Sequence, residues 1–478
     1  MRIAYLASAL ACLTFAGCSR NPATGANQLM LVSESQEIAM GLEYDQQVVS
    51  TIGLYPDSAM QRYVAQLGAR LAATSERPNL EWTFRVVDDP AVNAFAVPGG
   101  HIYVTRGILA HLNSEAELAA VLGHEIGHVT ARHTVAQMSQ QQLFGLGLAI
   151  GGAVNSTVAQ YSGAASQALG VLFLKFSRDD ESQADQLGLR YMGRARFDVR
   201  EMPQVFVMLD RITNASGGAR LPTWLETHPA PADRNTRITQ AIAAMPQDFT
   251  GTTVNRDAYI RRLDGLMFGE NPRDGYFTGG TFFHPDMRFT YTFPSGWATL
   301  NGRQSVIGIN SAKNAAIELS LATEGSADAG ARAFFAKEGM TGGTLSRQTF
   351  NGLPTVSGPF AAATPNGTVR GTALFVEYNG AVFRLIGYAP EASWAGNQAT
   401  VERSLQSFQR LTDPAALAVQ PQHLDVWTVP QRITLAQLAR QHPSPRSVDQ
   451  LAVINNVDAN ATFEAGQSVK WVVGPALP

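Results

Sequence analysis

Cysteine is almost missing from this chain. Its 478 residues include only Cys12 and Cys18. Nothing after Arg20 can form an intramolecular disulfide or a thiolate metal site, which excludes disulfide scaffolds, zinc fingers and thiol enzymes. A charge of one sign is missing as well. Thirty-six Lys and Arg face 39 Asp and Glu, a formal net charge of −3, with no basic stripe for nucleic acid and no acidic tail. Long apolar runs are also lacking. The two candidates, residues 3–16 and Leu143 to Val154, fall short of the roughly 20 residues a spanning helix needs. The second, LFGLGLAIGGAV, is expected as a loop or short buried helix. What is plentiful is apolar content, 45% of residues, enough to bury cores in two or three domains.

The N-terminus reads as an export signal. Met1 and Arg2 give a short basic start, and an apolar stretch runs to Phe15-Ala16-Gly17-Cys18. That ending resembles a bacterial lipobox, with Phe15 where Leu is usual. The resemblance implies lipidation of Cys18. Ser19, rather than Asp, implies the inner leaflet of the outer membrane. One acyl anchor tethers a chain to a membrane without spanning it.

The remaining chain divides by pattern. Residues 1–17 are the expected signal, 18–32 a tether, 33–247 a first domain, 248–280 a linker, 281–412 a second domain, 413–424 a linker and 425–474 a small module. Ser33 with Gln36 signals a capping box. Helices are expected near Ser58, over 114–135, over 177–192 and over 201–213, with strands over 81–87 and 101–104. In the second domain, Asn351-Gly352 and Asn379-Gly380 signal hairpins, and helices are expected over 328–337 and 399–411. No catalytic constellation falls there. Residues 425–473 read β-α-α-β. The class is α+β: a mainly helical domain with a small edge sheet, then an α+β domain and a small βααβ module.

The chemistry lies in His124-Glu125-Ile126-Gly127-His128, inside a helical pattern. Two His at i and i+4 share one helix face and reach one ion. Glu125 stands about 100° round the helix, where a general base can deprotonate a water on that ion. Glu181 and Asp185 are again i, i+4, about 55 residues on. A catalytic zinc takes three protein ligands and one open position, so Glu181 is the expected third ligand. Asp185 can accept the second ring N–H of a ligand His. His133, five residues past His128, is off the ligand face and is read as structural.

HEIGHVTARH followed by SRDDESQAD resembles the HtpX, BepA and CAAX-prenyl-protease family of gluzincin metallopeptidases. So do QLMLVSESQEIAMG over 28–41, Asn93 to Gly100, and Thr227-His228-Pro229; the likeness covers residues 20–245. It implies a zinc endopeptidase with one Zn2+ per chain on His124, His128 and Glu181, and with Glu125 as base. Asp185 matches a residue often assigned as proton donor; its spacing favours orienting a ligand. Asn93, Ala94 and Phe95 match an edge strand that pairs with substrate backbone. His228 and Arg234 match an HP-x4-R pattern. Either they stabilise the tetrahedral oxyanion, or His228 occupies the open zinc position and keeps the enzyme latent. BepA-like members carry helical repeats after the protease, and no 34-residue period follows residue 247 here. Residues 425–473 instead resemble a LysM-like module, which implies peptidoglycan as a partner. The expected function is proteolysis of misfolded or misassembled periplasmic and outer-membrane proteins. The alternative is an assembly chaperone or peptidoglycan-binding adaptor with a His228-capped site.

Overall fold

The computed structural model describes residues 18–147, 175–215, 222–228, 234–246, 248–364 and 367–476. The expected signal segment and most of the apolar run from Leu143 lie outside them. No helix among the described residues is long and apolar enough to cross a membrane. Helices and sheets mix, as the α+β class requires. The described residues form two compact units, one from residues up to 269 together with 422–474, the other from 270–421.

The first unit opens with a hairpin, β1 (Cys18–Arg20) paired with β2 (Asn27–Leu29). Helix α1 (Glu34–Thr51) follows, and its start carries the expected capping box, with Gln36 N–H on the Ser33 hydroxyl and the Gln36 side chain on Ser33 N–H. Helix α2 (Ser58–Ala72) buries Met60, Val64, Leu67 and Leu71, the stripe its spacing demands. A three-stranded sheet joins β3 (Thr83–Val87), β4 (Ala94–Val97) and β5 (His101–Thr105), with β5 central and β4 at an edge. A short helix, α3 (Arg106–His111), leads to α4 (Glu115–Thr130), buried over nearly its whole length.

The pattern 114–135 promised one helix, and the structure makes two. Arg132 stands at φ 60°, in the left-handed region, and α5 (His133–Gly147) starts immediately after it. The break has a cause in long-range contacts. The buried Arg132 guanidinium donates to Glu37 at 2.7 Å and to the Val32 carbonyl at 3.1 Å. Arg77 donates to the same Glu37 at 2.8 Å and to the Val129 carbonyl at 3.1 Å, so one buried carboxylate on α1 clamps the end of α4.

Helix α6 (Arg178–Arg194) crosses α4 at glycines. A Cβ on Gly188 would lie 3.1 Å from the His124 backbone nitrogen, and one on Gly127 would lie 3.0 Å from the Ala184 carbonyl oxygen. Only bare backbone lets the two helices approach this closely. Helices α7 (Met202–Ala215), α8 (Thr223–Thr227) and α9 (Arg234–Ala243) complete the surroundings of the site.

Residues 425–473 keep the expected β-α-α-β order, with the two-stranded pair Ile433–Thr434 and Thr462–Phe463 added. They do not stand apart behind a linker. Strand Gln422–Thr428 pairs with Met267–Phe268, and Trp471, Leu451 and Leu435 join the core that holds Leu118 and Ile126. Lys470 is wholly buried and donates to the carbonyls of Ala110, His111 and Leu112 at 2.9, 3.3 and 2.8 Å, capping α3. The stretch expected as a linker over 248–280 also contributes core, through Tyr259 and Ile260 on a helix at Arg256–Arg262.

The second unit has an antiparallel sheet of eight strands with helices Ala327–Phe335 and Glu391–Leu405 against it, a short helix at Pro414–Leu417 and a four-stranded sheet. Both Asn-Gly hairpins form. Tyr378 pairs with Ala381 across a two-residue turn, with Asn379 and Gly380 at φ 50° and 76°. The later helix runs over Glu391–Leu405 rather than 399–411. It starts directly after Pro390, where the preceding strand ends. Phe408 and Leu411 stay buried although they lie past the helix.

Candidate metal centre

Four side chains converge in the first unit. His124 and His128 come from α4, Glu181 from α6 and His228 from the end of α8, all buried, with one ligand atom of each within 4.8 Å of the others. His124 Nε2 lies 3.0 Å from His128 Nε2 and 3.5 Å from a Glu181 oxygen. His228 Nδ1 lies 2.9 Å from Glu181 Oε1 and 3.4 Å from His124 Nε2.

Tautomers test whether these residues fit a metal. Asp185 Oδ1 sits 3.0 Å from His124 Nδ1. Arg234 donates to both Asp185 oxygens, at 2.7 and 2.8 Å. Burial pushes the Asp185 pKa up, but hydrogen bonds and charge from Arg234 and His124 outweigh it and hold it down to about 2. An ionised carboxylate accepts, so the proton of His124 belongs on Nδ1 and its Nε2 presents a lone pair. His128 is kept neutral: burial, and then neighbouring His124, His133, His228 and Arg234, drive its pKa well down. Two Nε2 atoms about a hydrogen-bond length apart, with a carboxylate beside them, make a nitrogen- and oxygen-rich donor set that suits Zn2+. The residues fit the ion.

Glu125 lies at the rim of this cluster, 3.6 Å from His228 Nε2. Trp224 Nε1–H donates to its Oε1 at 3.1 Å, while Oε2 is buried without a hydrogen-bond partner. Sequence reading missed Trp224; the only signal was its place four residues before His228. Arg234 is fully buried, 2.7 Å from Glu181 Oε2 as well as on Asp185, with its guanidinium over the Phe206 ring. His228 is charged more readily than a free imidazole. Burial opposes this, but the Glu181 and Glu125 carboxylates prevail. Of the remaining expected residues, Ala94 and Phe95 lie on edge strand β4, opposite Val104 and Tyr103 of β5, and the Asn93 carbonyl accepts from Thr105 N–H. Cys18 begins β1 and is not one of the four clustered residues.

Residues 58–242 match the peptidase family M48. The chain carries a peptidase family M48 domain. The domain aligns with proteins of known name. A putative beta-barrel assembly-enhancing protease of Vibrio cholerae is 34% identical over 212 residues, 42% of this chain and 43% of that one. The mitochondrial metalloendopeptidase OMA1 of Arabidopsis thaliana is 36% identical over 176 residues, 36% of this chain and 33% of its own. The chain thus spans less than half the length of these relatives. Among solved structures, cyanobacterial PsbP from Synechocystis sp. PCC 6803 aligns at a TM-score of 0.24 and 11% identity, over 28% of this chain and 94% of that one, too slight a likeness to carry fold or function.

Proposed function

We propose that this chain is a zinc-dependent endopeptidase of the bacterial cell envelope, acting on misfolded or misassembled periplasmic and outer-membrane proteins. The observation that carries the chemistry is the convergence of His124, His128 and Glu181 with Glu125 at their rim. The envelope assignment is supported by the lipobox-like ending at Cys18 and by a relative named for beta-barrel assembly.

His124, His128 and Glu181 would hold the ion. A bound zinc supplies Lewis acidity, polarising the scissile carbonyl and acidifying a water. Glu125 does the proton work. Trp224 fixes Oε1, which leaves the partnerless Oε2 to take a proton from the attacking water and return it to the leaving nitrogen. Asp185 and Arg234 act by position. Asp185 sets the His124 tautomer, and Arg234 holds Asp185 and Glu181 in register. Its guanidinium is engaged with carboxylates, which favours this role over oxyanion stabilisation. Edge strand β4 offers backbone for an extended substrate.

A second reading concerns the resting state. His228 Nδ1 lies among the donor atoms, which favours a capped, latent site. Two measurements separate the cases. Zinc-dependent cleavage of an unfolded protein is expected from the wild type or, if the site is capped, only after His228→Ala. It is expected to vanish in Glu125→Gln with zinc still bound. Cleavage that survives Glu125→Gln overturns the mechanism. A drop in rate on His228→Ala would assign His228 to the oxyanion instead of the cap.

A further inference from the structure

His133 has no part in the proposed chemistry, yet it is buried against a ligand. On one continuous helix, a residue five positions after His128 would point elsewhere. The left-handed turn at Arg132 redirects it. His133 Nδ1 comes to 2.9 Å from His128 Nδ1, and its Nε2 comes to 2.8 Å from Gln183 Oε1. Gln183 stands on α6 between Glu181 and Asp185.

The protons along this line have one arrangement that serves a metal. Gln183 Oε1 can only accept, so His133 carries its proton on Nε2. Asp180 Oδ1, 3.6 Å from the same nitrogen, favours the proton there too. His133 Nδ1 is then a bare acceptor. It takes the Nδ1–H of His128, which leaves the His128 Nε2 lone pair directed at His124 and Glu181. The opposite arrangement would put a proton on His128 Nε2 and abolish the ligand. The line therefore sets the tautomer of His128 as Asp185 sets that of His124.

It also extends outward. An amide side chain can flip, and a flipped Gln183 would present NH2 to His133. Asn21, from the hairpin that follows Cys18, guards against this. It is buried, and its Nδ2 lies 3.3 Å from Gln183 Oε1, 3.0 Å from Gln28 Oε1 and 3.2 Å from the Ala131 carbonyl. Two donors, from His133 and Asn21, converge on one Gln183 oxygen. The stretch expected as a tether is thus docked at the end of the metal-binding helix.

We propose that His133, oriented by Gln183 and by Asn21 of the N-terminal hairpin, is the positioning residue for ligand His128. This rests on the metal-centre reading above. The test is the zinc affinity of the purified full chain, read by chelator competition, together with the visible spectrum of the Co2+ form and the stability of the metal-free protein. His133→Phe and Gln183→Leu are expected to weaken zinc binding by about 10–100-fold and to alter the cobalt spectrum. His133→Asn keeps an acceptor facing His128, Gln183→Glu keeps one facing His133, and both are expected to recover most of the affinity. Asn21→Ala is expected to weaken binding by a smaller factor in the same direction. If His133→Phe does not fold, the Gln183 pair decides, since that side chain is half-buried. Wild-type zinc affinity and cobalt spectrum in both His133→Phe and Gln183→Leu would overturn the positioning role and leave the metal centre standing. Unchanged binding in Asn21→Ala alone would remove the hairpin from it. Zinc uptake that survives His124→Ala with His128→Ala would overturn both readings.

Discussion

The two compact units handle charge in opposite ways. Around the metal centre of the first, His124, Glu125, His128, Glu181, Asp185, His228 and Arg234 are all buried within a few ångströms of one another. The second unit fills its interior with apolar side chains, rings and aliphatics together. Phe282, Phe289, Tyr291, Phe293, Phe383 and Phe408 pack there with Ile317, Leu374, Leu385 and Leu405, while pairs such as Arg370–Glu391 and Arg347–Asp328 sit at the surface. Buried charge is costly to a fold unless each group finds partners, and replacing such pairs with apolar residues often leaves stability unchanged or raises it. A cluster of this density is therefore best explained by work done there. The second unit shows the cheaper interior that stability alone selects.

The contrast can be broken at several points. The largest effect is expected at Glu125. Glu125→Gln keeps shape and removes the base, so cleavage should fall by about 10²–10⁴-fold while zinc content stays at one per chain. A smaller loss would mean that another group accepts the proton. Next comes Arg234→Met. It strands Asp185 and Glu181 with fewer partners, and should lower stability by about 3–5 kcal/mol in denaturant titration of the metal-free protein. If it costs under about 1 kcal/mol, the buried network is wetter than its geometry says.

Lys470→Ala tests a place where the first unit buries an amine away from the metal, and burial pushes its pKa well down. Its Nζ meets three carbonyls at the end of α3, so about 3 kcal/mol is expected to be lost. Because the 422–474 segment shares a core with the peptidase elements, the loss should appear in the same unfolding transition as that of Arg234→Met.

How much of this was legible in the sequence follows from range. His124, Glu125 and His128 declare themselves by spacing on one helix, and Glu181 and Asp185 by the same spacing on another. The capping box at Ser33 and the hairpin at Asn379-Gly380 are equally local. What stayed hidden depends on partners far along the chain. Arg132 is no natural left-handed residue; Glu37, 95 residues earlier, holds it there. Trp224 reaches Glu125 across 99 residues and Asn21 reaches Gln183 across 162. Lys470 reaches the Ala110 carbonyl across 360 residues, a contact that no local pattern announces.

The smallest expected effect belongs to the second unit, and it is the control that gives the others meaning. Arg370 pairs with Glu391 between strand Gly367–Tyr378 and the start of helix Glu391–Leu405, and both side chains are about half exposed. Water screens such a pair, and ordering two long side chains opposes its attraction, so exposed pairs contribute about 0–1 kcal/mol. Glu391 also lies in the first turn of its helix, where a negative charge interacts favourably with the backbone N–H groups whether or not Arg370 is present. Arg370→Met should therefore cost under about 1 kcal/mol. It should leave zinc content and cleavage untouched, and salt should erase what difference there is. A loss as large as that of Arg234→Met would mean that the surface pair carries load comparable to the buried one, and the division between a working interior and a merely stable one would fail.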